Sequence, residues 1–209
     1  MWYKRFPLGP LWTNGYLFRD INREAFFVDP GGDPSQVIEE IRKEGIILRD
    51  ILLTHGHVDH ILGIESLVEY SGATVHIHEL DISRLTDPSE NLSDWMGDGF
   101  SPHTDAKGFV DNAIIGIGRF TVEVIHTPGH TPGSSCFLVS SGNDQALVSG
   151  DTLFARSVGR TDLPGGNWEE LKRSLLKLID LPETLVVLPG HGPETTLAEE
   201  KRHNPFWPV

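Results

Sequence analysis

Apolar residues recur along this chain in short runs, and their spacing alternates between the two-residue period of strands and the longer period of helices. Tyr16-Leu17-Phe18 and Ala25-Phe26-Phe27-Val28 predict two strands of a meander joined by the polar stretch 19–23. Asp33-Pro34 then marks a helix start and Gly45 its end, with Val37, Ile38 and Ile41 as one apolar face. Ile51-Leu52-Leu53 predicts a buried strand. Residues 60–70 predict a helix with Ile61, Ile64, Leu67 and Val68 towards a core and Gly72 just past its end, and 73–78 predict another strand. Residues 86–105 break the rhythm and read as a loop, either a pocket wall or a packed connector. Further strands are predicted over 120–125, 135–139, 146–148 and 185–188. Asn167 with Glu170 resembles a capping box that opens a helix through 179. Thr196 with Glu199 opens a short one that stops ahead of Asn204-Pro205. Strands and helices in both halves predict an α/β chain, with two sheets face to face and helices outside. With 209 residues and no linker or low-complexity tract, one domain spanning 1–209 is expected.

Composition narrows the partners. Lysine and arginine number 17 against 30 aspartates and glutamates, a net charge of -13, which argues against a nucleic-acid backbone or an anionic membrane as partner. The single cysteine, Cys136, sits in the apolar run Cys136-Phe137-Leu138-Val139, so no intrachain disulfide is expected and a buried core role is. The N-terminus lacks a basic-then-apolar leader pattern and the apolar runs are too short to cross a bilayer. The expected location is the cytoplasm.

The chemistry lies in the histidines. Thr54-His55-Gly56-His57-Val58-Asp59-His60 follows the predicted strand at 51–53 directly. On extended chain His55 and His57 point the same way, and Gly56 lets the backbone bend between them. Asp59 and His60 sit at the turn into a helix and can aim at a second point. Three later glycine-rich turns after strands offer further ligands: Thr127-Pro128-Gly129-His130, Ser149-Gly150-Asp151 and Pro189-Gly190-His191-Gly192. Imidazole with carboxylate suits zinc, and also iron or manganese.

The order His-x-His-x-Asp-His, then a lone His130, Asp151 and His191, resembles the metallo-β-lactamase superfamily over nearly the whole chain. The resemblance implies a four-layer αββα sandwich with a two-metal site at one edge of the paired sheets. It implies that His55, His57 and His130 hold one ion, that Asp59, His60 and His191 hold the other, and that Asp151 bridges them. Within the superfamily the chain is similar to the glyoxalase II (hydroxyacylglutathione hydrolase) group. Three stretches carry this: Thr127-Pro128-Gly129-His130-Thr131-Pro132-Gly133-Ser134, Gly150-Asp151-Thr152-Leu153-Phe154 and Gly159-Arg160-Thr161-Asp162. Pro189-Gly190-His191-Gly192-Pro193-Glu194-Thr195 with Asn204-Pro205-Phe206 resembles the group's short, single-domain bacterial branch, which lacks the C-terminal helical domain that helps longer members grip glutathione.

The implied reaction is hydrolysis of a small-molecule thioester, such as S-lactoylglutathione, by a metal-bound hydroxide. Asp59 would fix the hydroxide or its metal, and Asp151 would hold the ions at a set spacing. Two alternatives stand beside it. Persulfide dioxygenases share the fold and the Gly159-Arg160-Thr161-Asp162 stretch but use one iron, and their last histidine stands in an Ala-His-Asp context. The other alternative is hydrolysis of another ester, a lactone, a β-lactam or a phosphodiester.

Ligating imidazoles donate their second N–H to a carboxylate or carbonyl, and Asp29 and Thr54 are the candidates. The other reading of Asp29 is a turn residue beside Pro30. Phe154 and Arg156 follow Asp151 and are candidates for the pocket mouth. Arg160 either pairs locally with Asp162 or reaches an anionic substrate. His76 and His78 read as structural, His126 as packed or supporting a ligand, His103 as within reach of the site from the 86–105 loop, and His203 as surface.

Overall fold

Phe26 and Phe27 are adjacent and both fully buried, which one strand achieves only when apolar layers cover both of its faces. The computed structural model describes residues 1–209 apart from Asp98, His103 and Val209, so the expectation for His103 lies outside the described residues. The first sheet contains, as successive neighbours, β1 (Trp2–Leu8), β2 (Thr13–Arg19), β3 (Glu24–Val28), β4 (Ile47–Leu52), β5 (Thr74–His78) and β6 (Ala106–Phe109). β1 to β3 pair antiparallel, and β3 to β6 pair parallel. Helix α1 (Ser35–Glu44) connects β3 to β4, and α2 (Val58–Ile61) with α3 (Ile64–Ser71) connects β4 to β5. The second sheet begins as an antiparallel meander of β7 (Ile114–Ile117), β8 (Phe120–His126), β9 (Ser135–Ser141) and β10 (Asp144–Gly150). A small hairpin, β11 (Leu153–Phe154) and β12 (Ser157–Val158), and helix α4 (Trp168–Lys177) follow. β13 (Val186–Pro189) then pairs parallel to β10, β14 (Thr195–Thr196) pairs antiparallel to β13, and α5 (Leu197–His203) comes last.

Side-chain alternation sorts the strands into layers. Phe18, Phe26, Val28 and Leu52 of the first sheet meet Phe120, Val122, Phe137, Val139, Val148 and Leu188 of the second. On the other face of the first sheet, Leu17, Phe27 and Ile51 pack with Val37 and Ile41 of α1 and Ile61, Ile64 and Leu67 of α2 and α3. On the other face of the second, Cys136, Leu138, Leu147 and Val187 pack with Leu175 of α4 and Leu197 of α5. This is the four-layer αββα sandwich, and Cys136 is a core residue within it. No helix among the described residues is long and apolar enough to cross a membrane.

Three expectations shift. The helix read over 60–70 is two helices, broken at Leu62 and Gly63, where the Gly63 N–H donates to the Pro30 carbonyl at 2.7 Å. A side chain on Gly63 would collide with the Gly32 carbonyl, so the chain after β3 is what forces the break. Helix α1 starts at Ser35, with Asp33 Oδ1 still accepting from the Ser35 N–H at 3.0 Å. Helix α4 ends at Lys177, and its capping box is half made. Asn167 Oδ1 accepts from the Glu169 and Glu170 N–H groups, while the Asn167 N–H goes to the Gly129 carbonyl at 2.8 Å. That bond ties α4 to the turn carrying His130.

The inter-sheet core gives a stability prediction. Phe26 stacks on Phe18 at 4.8 Å and meets Phe120 edge-on at 5.4 Å. Phe26→Ala is expected to cost about 3–5 kcal/mol, read as a lowered midpoint in chemical denaturation. A loss under about 1 kcal/mol would contradict this packing.

Candidate metal centre

The site is assembled from strand ends. β3 ends at Val28 and delivers Asp29, β4 leads into Thr54 to His60, β8 into His130, β10 into Asp151 and β13 into His191. Open sheets present ligands at carboxyl ends, where successive loops face one another. His57 has extended backbone and Val58 begins α2, so Asp59 and His60 project from its first turn. The His191 loop is pinned by β2: Asn14 Nδ2 and the Tyr16 hydroxyl both donate to the Pro189 carbonyl, at 3.0 and 2.9 Å, and the Asn14 N–H donates to the Gly190 carbonyl at 2.7 Å. Only glycine fits at 190, because a side chain there would fall on Asp151 Oδ1.

All seven residues expected as ligands converge, and they do so as overlapping triads. His55, His57 and His130 form one, Asp59, His60 and His191 another, and His55, His60 and Asp151 a third. His57 Nδ1 lies 3.1 Å from His55 Nε2 and 2.9 Å from His130 Nε2. Asp59 Oδ2 lies 3.2 Å from His191 Nε2 and 3.6 Å from His60 Nε2. Asp151 touches both groups. Its Oδ1 is 3.4 Å from His60 Nε2, and its Oδ2 is 3.5 Å from both His130 Nε2 and His191 Nε2.

The outward-facing nitrogens fix the tautomers. His60 Nδ1 donates to Asp29 Oδ2 at 2.9 Å, and His130 Nδ1 donates to the Arg160 carbonyl at 2.7 Å. The Thr54 hydroxyl donates to Asp29 Oδ2 at 2.7 Å, so it receives the His55 Nδ1–H at 3.1 Å. Asp29 Oδ1 accepts from the Thr54 N–H at 2.8 Å. Asp29 thus backs His60 directly and His55 through Thr54, and is also a turn residue, held at φ 52°. In the neutral form of each of the three histidines Nε2 is left with a lone pair aimed inwards. In the first triad only His57 Nδ1 can bring a proton to these lone pairs. His60 Nε2 and Asp151 Oδ1 are buried with no hydrogen-bond partner among the described residues. Polar atoms buried in that state are costly, and a cation between them satisfies them. The donor set therefore fits metal.

Protonation follows the same geometry. Burial, reinforced by neighbouring imidazoles, holds His55 and His57 well below the usual histidine range. Burial opposes charge on His60 too, but Asp59, Asp151 and Asp29 outweigh it and push its pKa well up. For Asp59 and Asp151 burial alone would raise the carboxyl pKa, yet His60 and its neighbours hold both below the usual range. Asp59 and Asp151 stay charged and His55 and His57 stay neutral, as metal ligation requires.

Above the cluster lies a cleft of about 550 Å³, with Leu11, Val58, Leu92, Trp95, Met96, Phe154, Val158, Arg160 and Leu163 as its walls. The 86–105 loop supplies Leu92, Trp95 and Met96, so it is a pocket wall. Phe154 lies in the wall against His191, with ring centres 6.0 Å apart. Arg160 lines the cleft and also pairs with Asp162, through Nε to Oδ1 and Nη2 to Oδ2, both at 2.7 Å. Arg156 does not line it. Its backbone N–H bonds Glu200 and its guanidinium turns to Glu199 of α5 at 3.3 Å, with φ at 62° directing it away.

Of the remaining histidines, His76 pairs with Asp50 at 2.8 Å, His78 stacks on His126 at 4.0 Å, His126 Nε2 bonds the Pro132 carbonyl at 2.8 Å, and His203 is exposed.

Two supports were not anticipated. Thr13 Oγ1 donates to Asp59 Oδ2 at 2.9 Å. Asp81, fully buried, accepts from the Gly56 N–H at 3.0 Å, the Thr131 hydroxyl at 2.7 Å and the Gly133 N–H at 2.8 Å, and pairs with Arg84 at 3.2 Å. One carboxylate thereby joins the loop of His55 and His57 to the loop of His130.

Residues 8–191 match the family model described as the metallo-beta-lactamase superfamily. The probable metallo-hydrolase YqgX of Bacillus subtilis is 37% identical over 99% of this chain and 97% of its own. Hydroxyacylglutathione hydrolase GloC of Haemophilus influenzae is 33% identical over 96% of this chain and 95% of its own. Among solved structures, BLEG-1 B3 metallo-beta-lactamase matches with a TM-score of 0.93 and 39% identity, covering 99% of each chain. TTHA1623 in a di-iron-bound form matches at 0.85 and 35%, covering 97% of this chain and 99% of its own. ETHE1 from Myxococcus xanthus matches at 0.77 and 29%, covering 98% of this chain and 84% of its own. The chain belongs to the metallo-beta-lactamase superfamily. At that level it is a metallo-hydrolase with a metal-binding cluster of histidine and aspartate.

The carboxylate behind His60 and His55 gives the second prediction. Asp29→Asn keeps the shape and tolerates positive φ, but replaces one acceptor by a donor. Metal affinity is expected to fall about 10- to 100-fold in a chelator competition assay. Wild-type affinity would show that the imidazoles need no carboxylate behind them.

Proposed function

We propose that the chain hydrolyses a thioester, of the kind a hydroxyacylglutathione hydrolase acts on, at a centre of two metal ions. One observation carries the reading: a second ligand set lies beside the first, joined to it by Asp151, with His60 Nε2 and Asp151 Oδ1 buried and bare. Zinc is the ion we assign, since imidazole and carboxylate donors suit it; iron and manganese share that donor set. Ions held there supply a nucleophilic water near neutral pH and polarise an acyl carbonyl.

The chain's own contribution is to hold donors in place and shape the cleft. His55, His60 and His130 are locked in the tautomer that presents Nε2, through Thr54, Asp29 and the Arg160 carbonyl. Asp59 keeps its charge beside the cleft and is steadied by Thr13. The leaving group favours a thioester over other acyl bonds. Outside the cluster, Arg160 is the one ionisable side chain among the described residues of the wall, and a guanidinium does not release its proton. A thiol of pKa about 8.5 departs as thiolate without help, whereas an alcohol or amine needs a proton. GloC, at 33% identity, supports the same choice. A second reading, β-lactam hydrolysis, is favoured by the likeness to BLEG-1 B3 metallo-beta-lactamase.

The test is reconstitution. Protein stripped by chelation and rebuilt with zinc is expected to take up two ions and to hydrolyse S-lactoylglutathione faster than a penicillin. Asp151→Ala is expected to lose metal retention and turnover together. Full activity of that variant with one ion would sink the two-metal assignment. One iron per wild-type chain with persulfide-dependent oxygen uptake would replace hydrolysis by oxygenation.

A further inference from the structure

Arg84 belongs neither to the ligand set nor to the cleft lining, yet its contacts reach both. It lies in the short 3-10 helix Glu79–Leu85 that follows β5, and its side chain is 4% exposed against 0% for its partner Asp81. Every nitrogen of the guanidinium is used. Nε donates to Asp81 Oδ1 at 3.2 Å, Nη2 to the Pro164 carbonyl at 3.0 Å, and Nη1 to the Glu90 carbonyl. Asp81 in turn holds Gly56, between His55 and His57, and Thr131 and Gly133, just past His130. Pro164 follows Leu163 of the cleft wall, and Glu90 precedes Leu92, Trp95 and Met96 of the same wall. One buried ion pair therefore ties the loops of the first triad to two loops of the wall.

The packing around the pair is close. A side chain on Gly56 would bring its Cβ within 2.6 Å of Arg84 Cβ, and one on Gly165 within 2.6 Å of Arg84 Nη2. Glycine at these positions lets a ligand loop and a wall loop close on the same arginine. A buried ion pair offsets its desolvation only when the remaining donors and acceptors also find partners. Here those partners are the loops themselves, so a shift in one loop is felt by the others. The wall has further ties. The Val58 N–H donates to the Asn91 carbonyl at 2.8 Å, and His130 Nδ1 to the Arg160 carbonyl. Neither joins Asp81 to the 86–105 loop, and Arg84 does.

We infer that Arg84 is a positioning residue that couples the first ligand triad to the cleft wall. An ion held by His55, His57 and His130 stiffens, through Asp81 and Arg84, the wall against which a substrate lies. This coupling rests on the proposed metal centre and not on which bond is cleaved there.

Amide hydrogen exchange tests it, read by mass spectrometry on chelator-stripped and zinc-loaded protein. In the wild type, zinc is expected to slow exchange about tenfold in the ligand loops and also over 89–96 and 163–166. Arg84→Lys keeps a charge beside Asp81 but not the fork that spans three partners. In that variant the slowing over 89–96 is expected to shrink to about twofold or less, while the ligand loops still respond. Arg84→Gln, which keeps a donor without the charge, is the second variant and is expected to behave alike. Phe26→Leu, weakened only through the inter-sheet core, is expected to keep the wild-type pattern. Equal slowing over 89–96 in the wild type and both Arg84 variants would overturn the coupling, and so would its loss in Phe26→Leu. Slowing confined to the ligand loops of the wild type would overturn it and leave the metal centre intact. No slowing anywhere would overturn the metal centre, and the coupling with it.

Discussion

Five imidazoles and two carboxylates share one end of the sandwich with their lone pairs turned inwards, and that crowding is the constraint to which the rest of the molecule answers. Outward N–H bonds turn the inner nitrogens of His55, His60 and His130 to within 2.9 to 3.4 Å of the next ligand atom. Such an arrangement is unfavourable unless protons or cations lie between the atoms. Burial makes protons poor candidates in the first triad, where it holds His55 and His57 neutral. Metal binding and the local fold are therefore one problem, as in other sites whose ligands must be gathered from distant segments.

The gathering is done by a few buried polar groups. Asp29 holds His60 directly and His55 through Thr54. Asp81 joins the His130 loop, 50 and 52 residues from it at Thr131 and Gly133, to the His55 loop 25 residues away at Gly56. Asn14 and Tyr16 hold the Pro189 turn across the interface of the two sheets. Behind them, Phe18, Phe26, Phe120 and Phe137 fix the sheets against each other, so the strand ends that carry the ligands keep their spacing. The chain gives its rigid layers to the centre and its loops to the cleft, the usual division between scaffold and site.

Much of this was legible in the sequence, for identifiable reasons. The ligand positions stood out because imidazoles and carboxylates set beside glycine, directly after buried strands, suit a cation and little else at the end of a packed core. The layered fold was legible because strands followed by helices recur in both halves, and the motif order resembles a family of four-layer sandwiches. The break between α2 and α3 was hidden because Ile61, Ile64 and Leu67 keep their helical spacing across it. Strands β6 and β7 lie at sheet edges, are four residues long and are partly exposed, so they show little pattern. Asp81 carried no motif, since its partners are backbone and hydroxyl groups brought to it only by folding. Arg156 was misplaced because its neighbour Phe154 does face the cleft, and only the turn at φ 62° sends the arginine to Glu199.

On the proposed function, the inward-facing donors hold two cations, one in each ligand set. Anomalous diffraction from crystals of the metal-loaded protein tests it directly. Two peaks are predicted, one among His55, His57 and His130 and one among Asp59, His60 and His191, with Asp151 contacting both. A single peak in the first set, with His60 and His191 left uncoordinated, would contradict it.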